Sequence, residues 1–129
     1  MKNEAEIETF IKTTVQMEKF LEEFTALSKK APNDAVNMFK LNLINPVLQT
    51  MNEILDEKNK PFSDFREFRQ EDLPSNSDTV IILSQYLACM ERFRRENTEH
   101  AGSDYWWVID GKISKIKAPN PHYSILSET

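Results

Sequence analysis

Only two of the 129 residues are glycine, Gly102 and Gly111, and both fall in the last quarter of the chain. Glycine reaches positive φ without steric cost, so tight strand-to-strand turns draw on it. A sandwich or barrel needs many such turns. A chain with none before residue 102 is therefore pushed towards helices for most of its length. The same shortage removes whole classes of chemistry. Neither a phosphate-binding P-loop nor a G-x-G-x-x-G dinucleotide fingerprint can be written with glycines only at these two positions, and there is no G-x-S-x-G nucleophile elbow.

Apolar periodicity supports three long helices. Ile7, Phe10, Thr14, Met17, Leu21 and Phe24 recur at spacings of three and four and predict a helix from about residue 3 to residue 30. Phe20, Leu27, Ile11 and Val15 widen its apolar face, enough for two neighbours. Pro32-Asn33-Asp34 then ends this helix, with Asn33 or Asp34 as the expected cap of the next. The second pattern runs to about residue 58. Val36, Phe39, Leu43, Val47 and Ile54 keep one phase across Pro46, beside a stripe of Leu41, Ile44, Leu48, Met51 and Leu55. Asn42, Asn45, Gln49, Asn52, Glu53 and Asp56 fill the remaining side. A preserved phase favours one helix kinked at Pro46 over two helices. The third helix is expected from a cap at Ser77 or Asp78 to about Glu99, with Gly102 as its terminator. Its apolar half carries Ile82, Leu83, Tyr86, Leu87, Cys89, Met90 and Phe93. Between the second and third helices, residues 59–77 read as a long connector. It would hold a short helix with Phe65 and Phe68 on one side, then a loop from Leu73 to Ser77.

At Tyr105 the period changes. Tyr105-Trp106-Trp107-Val108-Ile109 and Lys112-Ile113-Ser114-Lys115-Ile116-Lys117 flank Asp110-Gly111, a pair suited to a two-residue type I′ turn. A β-hairpin over about 105–117 follows, with Val108 opposite Ile113 and Trp107 opposite Ser114. Pro119 and Pro121 stop further pairing, and residues 118–129 are expected to be irregular. The expected architecture is mostly α: one domain over 1–129, three amphipathic helices and a short C-terminal hairpin. The alternative is α+β with a small antiparallel sheet.

Candidate chemistry is sparse. His100 and His122 are the two histidines, and with Asp104 they could bind a metal or exchange protons. They carry no E-x-x-H or H-E-x-x-H spacing, and exposed positions near loops account for them as well. Cys89, the one cysteine, sits on an apolar helix face, where a thiol behaves as a small hydrophobe, and it excludes an internal disulfide. No cofactor or metal is implied, and an enzyme is the less favoured class. The formal net charge of −5 opposes non-specific nucleic-acid binding. Arg92, Arg94 and Arg95, and Lys112, Lys115 and Lys117, are small basic clusters that a solvated face explains. The apolar runs are too short to span a bilayer, and the charged first residues lack a signal peptide's apolar region, so a cytoplasmic, membrane-free protein is expected.

Tyr105, Trp106 and Trp107 are the candidate partner-binding residues. Strand alternation sends the two tryptophans to opposite faces, so one sheet face cannot bury both. Tryptophan and tyrosine dominate binding hot spots. The expected function is a non-catalytic protein-binding role: an adaptor, a chaperone-like binder or a stoichiometric inhibitor of the immunity type. A homodimer would satisfy the same surfaces. The alternative is a small-molecule binder or enzyme with a site between helices and hairpin, drawing on Tyr105, His100 and Asp104 or on Asn42 and Asn45.

Overall fold

The computed structural model describes residues 1–119; the expectations for His122, Pro121 and the tail from residue 120 lie outside them. Three helices are followed by three strands: α1 (Glu4–Lys30), α2 (Met38–Asn59), α3 (Asn76–Glu96), β1 (Thr98–Ala101), β2 (Asp104–Ile109) and β3 (Lys112–Ala118). The protein is mostly α with a small C-terminal antiparallel sheet of order β1-β2-β3.

Each helix starts at a side chain that takes up a free backbone N–H. Asn3 caps α1 by accepting from the Glu6 amide at 3.0 Å. Asn37 caps α2, accepting from the Lys40 amide at 2.9 Å. This corrects the expected cap at Asn33 or Asp34. Residues 32–36 are otherwise engaged: the Pro32 and Asp34 carbonyls accept from the Ser77 and Asn76 amides, and the Val36 amide donates to the Pro74 carbonyl. Ser75, not Ser77 or Asp78, caps α3, and Asp78 returns the bond to the Ser75 amide in a full capping box.

The α1 stripe is buried as its spacing requires, with Ile7, Phe10, Thr14, Met17 and Phe24 inside and Leu21 partly so. In α2 the stripe of Leu41, Ile44, Leu48, Met51 and Leu55 is fully buried, while the other reaches the core through Val36 and, partly buried, Val47 and Ile54. Phe39 and Leu43 from the other stripe stay in solvent. α2 continues through Pro46, and its departure from helical backbone falls at Asp56, at φ 56° and ψ −173°. α3 buries Leu83, Tyr86, Leu87 and Met90. It also buries Arg94, which follows Leu87 and Met90 on the same stripe.

The connector between α2 and α3 is not the short helix expected at Phe65–Phe68. Residues 62–69 have no helix or strand, and one 3-10 turn spans Gln70–Asp72. The reason lies in the polar side of α2. The Asn45 amide donates to the Phe68 carbonyl and its oxygen accepts from the Phe68 amide, both at 2.9 Å. Gln49 donates to the Glu67 carboxylate at 3.0 Å and Asn52 to the Arg66 carbonyl at 2.9 Å. Positions 45, 49 and 52 share one helix face, so they hold residues 66–68 running antiparallel to α2. The connector thus returns along α2 to the end where α3 begins. Phe62 and Phe65 pack around Tyr86 in tilted and edge-on contacts, and Phe65 also meets Phe68 at 5.2 Å.

α1 and α3 are antiparallel. The start of α3 touches the residues after α1 through the Asn76 side chain to the Ala31 carbonyl. Its end meets Met1, whose amino group donates to Asn97 Oδ1 at 3.0 Å. Asn97 also accepts from the Val108 amide, and the Asp110 amide donates to the Met1 carbonyl. The sheet is therefore fastened to the end of the bundle where α1 begins and α3 finishes.

Candidate protein-binding face

The hairpin turn is as the sequence implies. Asp110 and Gly111 both have positive φ, 50° and 76°, and Val108 pairs with Ile113. Three features differ from expectation. First, α3 stops at Glu96 and Thr98–Ala101 form a strand beside β2. Gly102, at φ 68°, opens the β1–β2 turn and does not end a helix. Second, Trp107 does not pair with Ser114. Trp106 pairs with Lys117 and Val108 with Ile113, so the single residue Trp107 faces Ser114, Lys115 and Ile116 across a bulge. The Ser114 hydroxyl accepts from the Ile116 amide there. Third, Ala118 belongs to β3, opposite Tyr105. The bulge adds two residues, an even number, so the inward and outward alternation of β3 survives it.

That alternation separates the three aromatic candidates. Trp107 is fully buried, edge-on to Phe10 at 5.3 Å between ring centroids. Its indole N–H has no hydrogen-bond partner among the described residues. Tyr105, Ile109 and Ile116 lie on the same side, partly buried against the core. Trp106 stands on the opposite face, half-buried, and its indole donates to the Ala101 carbonyl at 3.1 Å. Val108 and Ile113 share that face, and Ile113 is 47% exposed. Across from Trp106 sit Glu99 on β1 and Lys117 on β3, and Lys117 reaches Asp104 at 3.2 Å. Lys112 and Lys115 are exposed along β3, one of the two edge strands.

Val108 and Ile113 were not among the sequence candidates, although their pairing was readable from the turn. Alternation from Trp106 would have put both on its face.

The other candidates are dispersed. His100 is exposed, with its ring 4.9 Å from Tyr105. Asn45 is committed to the Phe68 backbone. Cys89 is partly buried. Of the arginine cluster, Arg94 turns inward and donates to Glu91 at 2.7 Å, while Arg92 and Arg95 border a trough with Lys60. Burial raises the Tyr86 hydroxyl above its ordinary value of 10.0, so it stays protonated and donates to Asn52 at 2.7 Å. Among the described residues, no group of three or more His, Cys, Asp or Glu is placed to hold a metal ion, and no helix is long and apolar enough to cross a membrane. Among the described residues, open troughs of about 350 to 640 Å³ are lined by residues of the three helices, the connector and the first three residues of the chain, away from the sheet.

Comparison with known protein families, curated proteins and solved structures finds no match for this chain.

Proposed function

We propose that the chain is a non-catalytic protein-binding module, an adaptor or stoichiometric binder that engages a partner with its sheet. The observation that carries this reading is the face formed by Trp106, Val108 and Ile113, turned away from the core and reaching the edge strand β3. An aromatic anchor with aliphatic neighbours and a charged border is the make-up of a hot spot. An extended partner segment could add to the β3 edge while its side chains cover Trp106 and Ile113. Lys112, Lys115 and Lys117 favour acidic residues in that segment. Pairing β3 with a second copy of itself would oppose lysine to lysine, which disfavours a homodimer through this edge.

The test uses proteins retained from the native host by the wild-type chain and by a Trp106→Ala, Ile113→Ser variant. Trp107 is left intact because it belongs to the core. A specific protein held by the wild type and released by the variant, with the variant still cooperatively folded at the temperature of capture, supports the reading. No specific protein retained, or the same set retained by both, overturns it.

A further inference from the structure

Among the described residues, four of the six most exposed large apolar side chains lie on the first turns of α2 and the connector facing it. They are Met38 at 44%, Phe39 at 72%, Leu43 at 48% and Leu73 at 68%. Met38 and Leu73 border one trough of about 640 Å³ between α2 and the connector. Its floor is formed by the buried side chains Leu41 and Phe68. Glu67, which accepts from Gln49, and Glu71 stand on its wall; no lysine or arginine lines it, and Arg69 meets Glu71 from outside the lining at 3.9 Å, both side chains largely in solvent.

Leu73 is the anomaly. Its backbone is left-handed, at φ 48° and ψ 54°. That position after a helical turn normally falls to glycine or asparagine, because a Cβ is strained there. A leucine could be held there by burial of its side chain, yet this one is in solvent. The Leu73 amide closes the turn on the Gln70 carbonyl at 2.9 Å, but the side chain gains no burial from this, and an exposed leucine kept at a strained position points to a contact made elsewhere.

We infer that this trough is a second docking surface, whose occupant is a basic amphipathic helix of a partner protein. The apolar floor and the Met38 and Leu73 rims suit anchors spaced at i, i+3 and i+4. The glutamates, with no cation among the lining residues, select lysine or arginine beside those anchors. The trough is at the end of the bundle where α2 and α3 begin, and the sheet is at the other. It therefore stands independently of the role proposed for Trp106, and the charge preferences of the two surfaces are opposite.

The probe is a synthetic helical peptide of about 18 residues, about 27 Å long. It carries leucines at i, i+3, i+4 and i+7, and lysines on its other face. A control peptide carries glutamates in place of the lysines. Binding is read by fluorescence anisotropy. The lysine peptide should bind the wild type, more weakly as salt rises, and the glutamate peptide should not. Met38→Ser and Leu73→Asn should each weaken binding about tenfold, as expected for the loss of one apolar anchor. Leu73→Asn suits the left-handed backbone, so its thermal midpoint should be no lower than that of the wild type. The Trp106→Ala, Ile113→Ser variant should bind as the wild type does. Absence of binding, equal binding of the two peptides, undiminished binding by the Met38 and Leu73 variants, or loss of binding in the sheet variant would each overturn the inference.

Discussion

Two adjacent tryptophans on β2 do different work because a strand turns successive side chains to opposite faces. Trp107 fills the junction between the sheet and α1, against Phe10. Truncating it leaves a cavity among fully buried neighbours. Trp107→Ala should cost about 3–5 kcal/mol, in the range of large aromatic truncations in cores. Trp106→Ala loses one hydrogen bond and part of a half-buried ring, and should cost roughly 1–2 kcal/mol. Urea unfolding of the two variants measures the difference, and equal costs would contradict their assignment to core and outer face. The sequence carried the separation of the two rings but not which one turns inward. That choice depends on where β2 lies against Phe10, which is nearly a hundred residues from Trp107 in the chain, and no local pattern encodes it. Arg94 is a milder case. Its spacing from Leu87 and Met90 places it on the apolar stripe, but its charge assigned it to a basic cluster.

At the scale of elements, the helices and the β2–β3 turn were legible because their signals are local: apolar spacing, caps and an Asp-Gly pair. The connector was not. Phe65 and Phe68 have a helical spacing, but the backbone between them is held by Asn45 and Asn52, 14 to 23 residues away. Side chains that supply both donor and acceptor to a distant peptide group replace the hydrogen bonds that a helix would make, and they leave little trace in local periodicity. The Asn side chains were placed on the polar side of α2, with Asn42 and Asn45 as candidates for a small-molecule site, whereas Asn45 and Asn52 are the helix's contact with the connector. β1 was missed for a related reason, since Thr98-Glu99-His100-Ala101 has too little apolar content to signal a strand by itself. Asn45→Ala would leave the amide and carbonyl of the buried Phe68 without these partners, costing about 1–3 kcal/mol. Hydrogen exchange should show faster exchange at the Phe68 amide, with α1 protected as before. Gln49→Ala, which removes an exposed contact to Glu67, should change stability by no more than about 0.5 kcal/mol. Comparable effects of the two substitutions would mean that the connector is held by its phenylalanines alone.

For the whole molecule, the packing of α3 against α1 sets a pH dependence. Glu91 accepts from the fully buried Arg94 at 2.7 Å, while its second oxygen is buried with no hydrogen-bond partner among the described residues. Burial pushes the Glu91 carboxyl above its ordinary value of 4.5, against the attraction of Arg94; Glu18 raises it further and Arg95 lowers it. Desolvation outweighs the pair because only one carboxylate oxygen is satisfied. A carboxyl with a higher pKa in the folded state keeps its proton after the unfolded chain has released its own. As pH rises above about 4.5, the folded state binds more protons than the unfolded state, and this residue's contribution to stability falls. Below that window the contribution is fully present. Glu91→Gln keeps an oxygen for Arg94 and removes the titration. Unfolding free energies from urea titrations of both proteins at several pH values should show the wild type losing stability relative to the variant as pH rises from 4.5, then levelling once Glu91 is ionised in both states. A relative gain over the same range would mean that the Arg94 pair dominates and that the ionised carboxylate holds α3 in place.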